Sequence, residues 1–211
     1  AYFDSPALSV MLMTPGPTAV PESVRDAMSR ELINPDVDPE FQRIYDRLTN
    51  RLGAVYGIDT TAVPRDIVVP GGEGILGLEA AIASLVEPGT EVLCLSNGLY
   101  GDGFADFVEG YGGNATLVGA GYDEPLPLAD LERALSGDDT EFDVATMVHC
   151  ETPTGTLNDI APALDLLEEA GVLTVVDAVS SLGGTPVPTD LIDVCLGASQ
   201  SASAPRRGSL P

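Results

Sequence analysis

The residue with the most chemical content is Asp177, which closes the apolar run Val172-Leu173-Thr174-Val175-Val176. A carboxylate ending such a run needs a partner, because burying an unpaired charge is strongly unfavourable. A protonated heterocyclic nitrogen would serve, and so would the turn that follows, Ala178-Val179-Ser180-Ser181, capped by the Asp side chain. A second junction, Pro70-Gly71-Gly72-Glu73-Gly74-Ile75-Leu76-Gly77, follows the short apolar run Asp66-Ile67-Val68-Val69. Its glycines let the backbone approach an anion, and the helix it opens offers free N–H groups and a positive dipole end, so it reads as a phosphate cradle. Two other readings stay open. Gly72, Gly74 and Gly77 fit the dinucleotide pattern G-x-G-x-x-G, or the loop only packs a helix against a sheet. The dinucleotide reading, and with it a nicotinamide-dependent oxidoreductase, needs an acidic residue ending the next strand to hold a ribose. That run ends Leu95-Ser96-Asn97-Gly98, without a carboxylate, which disfavours it.

Two further junctions carry suitable groups. Tyr100, in Asn97-Gly98-Leu99-Tyr100-Gly101, stands where an aromatic could stack on a flat ring or pack at a rim. His149-Cys150-Glu151-Thr152-Pro153-Thr154-Gly155 is dense in hydroxyls able to donate to a phosphate or a ring oxygen. The single histidine beside it has no cysteine or carboxylate at ligand spacing and reads as a hydrogen-bonded, partly buried side chain.

The elements that must position these residues follow from hydropathy. Apolar runs at 66–69, 91–96, 115–120, 144–150, 172–178 and 193–199 alternate with helical stretches at 74–86, 100–110, 128–135 and 160–170. Pro21 opens a short helix to Arg30, and Asp38 precedes a longer one with Phe41, Ile44, Tyr45, Leu48, Leu52 and Val55 at helical spacing. Strands apolar on both faces, alternating with helices, predict an α/β fold with a mostly parallel sheet sandwiched by helices. In such sheets ligands bind beyond the carboxyl ends of the strands, where all of these junctions fall.

Composition bounds the rest. The chain has 211 residues, room for one domain or one domain with an incomplete appendage, and 44% hydrophobic residues argue against disorder. Its 33 acids face nine bases, a formal net charge of −24, and every base is arginine. So negative a surface repels nucleic acid and anionic membranes, which excludes both as expected partners. The acid excess reads as the solvated surface of a halophilic protein rather than a metal site, since neither an Asp-x-Asp-x-Asp-Gly loop nor a histidine cluster is present. Cys94, Cys150 and Cys195 lack metal or redox spacing and read as reduced thiols, which fits a cytoplasmic location. The first residues show no basic region followed by an apolar core and cleavage site, and no run reaches membrane-span length, so a soluble, non-exported protein is expected.

The junctions, taken in order, resemble the class V (fold type I) pyridoxal-phosphate-dependent aminotransferases, in particular the alanine-glyoxylate, serine-pyruvate and serine-glyoxylate group. The resemblance rests on Pro15-Gly16-Pro17-Thr18, the glycine loop leading into Leu78-Glu79-Ala80-Ala81, Asn97 to Gly101, His149 to Gly155, Val176 to Gly184, and Gly197-Ala198-Ser199-Gln200. It implies pyridoxal 5′-phosphate as cofactor, transfer of an amino group from an amino acid such as alanine or serine to a 2-oxo acid such as glyoxylate or pyruvate, and a homodimer. It also implies roles. Glu73, Gly74, Ile75 and Gln200 fall at phosphate positions, Tyr100 and Val179 on the two ring faces, Thr152 near the ring oxygen, Asp177 against the pyridinium nitrogen, and Pro15 and Gly16 toward the substrate. Glu73 departs from the family's usual Ser or Thr; a carboxylate opposes phosphate, so its side chain is expected to point away.

The graver departure is Ser201, where the resemblance implies the lysine that ties the cofactor covalently and moves a proton. The chain has no lysine, and a hydroxyl cannot form an imine. The residues Ser201 to Pro211 also depart from the family's Pro-Pro-Gly-Leu continuation. The expectation is a 1–35 entry segment and helix, an incomplete 36–200 cofactor-binding large domain lacking the C-terminal small domain, and an atypical 201–211 tail: a truncated or frame-disrupted product, or one whose modified lysine is missing from the written sequence. Turnover is expected to fail in the chain as written. The alternative is a non-catalytic remnant that binds the cofactor without a covalent link or only dimerises.

Overall fold

A computed structural model describes residues 14–31, 33–59, 66–137 and 141–201. The tail from 202 and the first thirteen residues, both within expected segments, lie outside the described residues. Five strands form one sheet: β1 (Glu91–Ser96), β2 (Asn114–Gly119), β3 (Val144–Val148), β4 (Leu173–Asp177) and β5 (Val194–Leu196). Their order is β2-β1-β3-β4-β5 and every pairing is parallel. The chain first adds β2 on one side of β1 and then crosses to build β3, β4 and β5 on the other, so the order reverses between β1 and β3. That is where an open α/β sheet forms its ligand crevice.

Six helices accompany the sheet: α1 (Glu22–Met28), α2 (Pro39–Val55), α3 (Gly74–Leu85), α4 (Leu99–Gly110), α5 (Leu128–Leu135) and α6 (Ala161–Ala170). Alternate side chains of each strand point to opposite faces. Leu93, Leu95, Ala145, Met147 and Val176 pack with Leu131 of α5 and Leu164 and Leu167 of α6. Val92, Cys94, Val144, Val148 and Val175 pack on the other face with Leu78 and Ile82 of α3 and Phe104 and Val108 of α4. Burying each large apolar side chain contributes about 1.5–3 kcal/mol, so this double-sided core holds the strand ends in place. Local signals agree with the elements. The Asp38 carboxylate accepts from the Glu40 amide at the head of α2, and Gly171 ends α6 at φ 73°, a left-handed conformation glycine adopts without strain.

One expectation is corrected and one is borne out. The run 66–69 is not a strand: Ile67 and Val68 line a cleft with Tyr56, Thr189, Ile192 and Cys195, and Val68 is 81% exposed. A strand exists through its ladder of hydrogen bonds, and no neighbour among the described residues supplies one. The apolar spacing of α2 does give a helix, but Ile44, Leu48 and Val55 along it remain 39%, 41% and 49% exposed. No helix among the described residues is long and apolar enough to cross a membrane.

Candidate functional site

The loops after β1, β3, β4 and β5 meet at one edge of the sheet. Asp177 is the last residue of β4, 5% exposed, and its Oδ1 accepts the Val179 amide at 2.7 Å. Burial pushes its carboxyl up to about 7, with the nearby Glu151 carboxylate adding to the shift and the Val179 amide opposing it. Apart from that amide, no hydrogen-bond partner of this carboxylate is found among the described residues. Both readings of Asp177 therefore hold geometrically: it caps its own turn, and it keeps acceptor capacity for a cationic nitrogen.

The glycine loop reaches this point through Gly74. A Cβ placed there would lie 3.3 Å from Val179 Cγ2, from Ala198 Cβ and from Gln200 Nε2, so the head of α3 sits against the turn after Asp177 and the loop after β5. Gly74 and Ile75 open α3, where amides lack partners inside the helix. Glu73 is the residue before it, exposed, with no side-chain capping bond. Because 66–69 is not a strand, the loop lacks the strand-to-helix context that a dinucleotide fingerprint requires.

Thr152, half-buried, exchanges a hydrogen bond with the buried Ser180 hydroxyl, joining the turns after β3 and β4. Tyr100 and Val179 both sit at the rim of the apolar cluster made by α3, α4 and the strands. Pro15 and Gly16 arrive from the opposite end of the chain: the Thr18 amide donates to the Gln200 carbonyl at 2.7 Å, and a Cβ on Gly16 would collide with the Ser201 side chain. Ser201 itself is 3% exposed. The structure thus brings Pro15, Gly16, Gly74, Thr152, Asp177, Val179 and Gln200 to one rim, with Glu73 and Ile75 at the exposed head of α3 beside it.

Several supporting residues were missed in the sequence. Glu151, fully buried, lies beneath Gly98, where a Cβ would collide with its carboxylate. Its oxygens accept the Gly101 amide at 2.8 Å and the Tyr100 amide at 3.3 Å, so a carboxylate from the turn after β3 closes the positive end of α4. Burial raises its pKa while those two amides lower it. Asn97 and Asn158 exchange two hydrogen bonds of 2.7 and 3.0 Å, and Asn158 also donates to the Val148 carbonyl, locking the ends of β1 and β3 together. His149, by contrast, is the hydrogen-bonded, buried side chain the sequence led us to expect: it bonds the Ser181 hydroxyl at 2.9 Å, and burial lowers its pKa, which favours the neutral ring.

Comparison with known proteins bears on the fold and the family. No protein-family model matches the chain. It is 35% identical over 179 residues to a pyridoxamine–pyruvate transaminase of Mesorhizobium japonicum, covering 83% of this chain and 43% of that protein. It is 36% identical over 182 residues to a 2-aminoethylphosphonate–pyruvate transaminase of Burkholderia lata, covering 86% and 46%. Among solved structures, an alanine–glyoxylate aminotransferase of Nostoc superposes with a TM-score of 0.81 at 31% identity, covering 94% of this chain and 52% of that one. The chain spans about half the length of the curated relatives it matches. Aminotransferases of this fold use pyridoxal phosphate. The residues present fit the ring of that cofactor, for Asp177 offers a buried carboxylate with spare acceptor capacity, and they do not fit its covalent tether, for the chain contains no lysine. The chain belongs to the class V pyridoxal-phosphate-dependent aminotransferases.

Proposed function

We infer that this chain is the cofactor-holding part of an aminotransferase that moves an amino group from an amino donor, such as alanine or serine, to glyoxylate or pyruvate. The observation that carries the reading is Asp177, a buried carboxylate at the end of β4 with one oxygen committed to Val179. Against a protonated ring nitrogen that carboxylate would be ionised and would keep the proton on the nitrogen. The bound ring supplies an electron sink that eases removal of a proton from the donor's carbon. Thr152, fixed by Ser180, is placed to donate to the ring oxygen; Tyr100 and Val179 bound the ring faces; Gly74, Ile75 and Gln200 offer donors at the far end; Pro15 and Gly16 face the substrate. Relatives named for pyridoxamine and 2-aminoethylphosphonate widen the range of donors, while pyruvate and glyoxylate recur as acceptors.

This chain holds its ligand without a covalent bond and does not turn over by itself, since no side chain can form an imine or shuttle the proton in lysine's place. We read 36–200 as the incomplete large domain, between the 1–35 segment and the 201–211 tail. The uncovered stripe of Ile44, Leu48 and Val55 on α2 supports a homodimer, the acid excess a salt-adapted protein, and the free cysteines a cytoplasmic one. The test is to add pyridoxal phosphate to the purified chain, reduce with borohydride, and measure intact mass and dialysable ligand. Bound, dialysable ligand with unchanged mass is expected. A covalent adduct refutes the untethered reading, and absence of binding refutes the site.

A further inference from the structure

We propose that Glu151 is a positioning residue for the ring: from the turn after β3 its carboxylate fixes the first turn of α4 and so sets Tyr100 against the ring face in register with Thr152. The proposal rests on the reading above that a ring held at Asp177 has Tyr100 at one face.

Its first support is the reach of the Glu151 side chain. Fully buried, it accepts the Tyr100 amide at 3.3 Å and the Gly101 amide at 2.8 Å. Amides in the first turn of a helix have no partner within it, and an ionised acceptor bonds them more strongly than a neutral one. Room for the carboxylate exists because residue 98 is glycine, since a Cβ there would lie 2.2 Å from Glu151 Cδ. Gly98 has φ −176°, extended backbone that any residue adopts, so its missing side chain answers to Glu151 and not to strain. The second support is the next residue. Thr152 bonds Ser180 in the turn after Asp177, so one short turn is tied to α4 through residue 151 and to the end of β4 through residue 152. The third support is the other side of the same helical turn. The Ser96 hydroxyl lies 2.6 Å from the Asp102 carboxylate and 3.0 Å from the Gly98 carbonyl, and a Cβ on Gly101 would come within 2.6 Å of Ser96 Oγ. With that side held by β1, Glu151 decides where Tyr100 stands relative to Thr152. The body of α4 is docked separately, by Phe104 and Val108 in the core.

The experiment is a double-mutant cycle on the full chain, read by equilibrium dialysis against pyridoxal phosphate, with urea midpoints taken on the same proteins. Tyr100→Leu keeps an apolar side chain, removes the aromatic face and should weaken binding about tenfold. Glu151→Gln should weaken binding about fivefold more in the parent than in Tyr100→Leu, since residues acting through one another are not additive. Its effect on the urea midpoint should be the same in both backgrounds. The substitution also relieves Asp177 of a neighbouring negative charge, an effect that does not pass through Tyr100 and cancels in the cycle. Gly98→Ala displaces the carboxylate while keeping its charge, and it should show the same dependence on Tyr100; it decides the cycle if Glu151→Gln does not fold. Unchanged affinity, or an equal loss with and without Tyr100, overturns the proposal and leaves the Asp177 site standing. Failure of the parent chain to bind pyridoxal phosphate removes the ring site and the proposal with it.

Discussion

The ends of β3 and β4 each deliver a buried carboxylate to the same rim, and the two are held in different ways. Glu151 is fully buried and has an amide on each oxygen, from Gly101 and Tyr100 at the positive end of α4. Asp177 is almost as buried but has the Val179 amide on Oδ1 alone. A carboxylate whose oxygens are both met by backbone donors is a structural cap. One left with spare acceptor capacity in an apolar setting is strained toward neutrality and available to a cation. The difference lies in backbone donors, not in residue type or burial.

The largest effect that would break this contrast is Glu151→Ala, which leaves two amides and the space under Gly98 unfilled. We expect a loss of about 3 kcal/mol, measured as a shift of the urea midpoint, with Glu151→Gln losing less because it keeps the shape and one acceptor. Loss of under about 0.5 kcal/mol would show that the cap is not structural. Asp177→Asn should do the opposite: little change in stability below about pH 4, where the Asp177 carboxyl is neutral in both states, but affinity for added pyridoxal phosphate down at least about tenfold in an equilibrium titration. An unchanged affinity would mean that Asp177 only caps its turn.

The pH dependence sharpens the same contrast. Asp177 has its folded pKa raised from 3.8 to about 7, so the fold binds the proton more tightly than the unfolded chain does. Its contribution is fully present below the unfolded value and is lost as pH rises through about 7, roughly 1.4 kcal/mol per unit of raised pKa. Urea midpoints should therefore fall between about pH 4 and pH 7 more steeply in the parent than in Asp177→Asn, and a parallel decline would remove Asp177 as the cause. The smallest effect is expected of Thr152→Val, which deprives the Ser180 hydroxyl of its partner and should cost about 1 kcal/mol by the same measurement.

Strands β1 to β5 were legible in the sequence because each lies within an apolar run that alternates with helical spacing. The run 66–69 looked the same locally, yet pairing depends on a neighbour that hydropathy cannot supply. Asp177 was legible as an acid ending an apolar strand. Glu151 carried a similar signal, an acid just after an apolar run, but it sat among hydroxyls, and its real counterpart, Gly98, lies on another strand. The Asn97–Asn158 pair joins residues 61 apart and has no local signature at all. Helical spacing announced α2 but not that its apolar stripe lies open, since exposure is a property of the assembly.

The bond from Thr18 to Gln200 joins residues 182 positions apart, and Gly16 closes on Ser201. Synthesis is vectorial, so the entry strap precedes the sheet and must wait until all five described strands have been made before it can dock on Gln200. During that interval the mouth of the site has no floor beyond β4, and the nascent chain keeps Pro15 to Thr18 unanchored. The ligand pocket thus forms only after the five described strands, and a chain cut a few residues before position 200 keeps a core and loses the site.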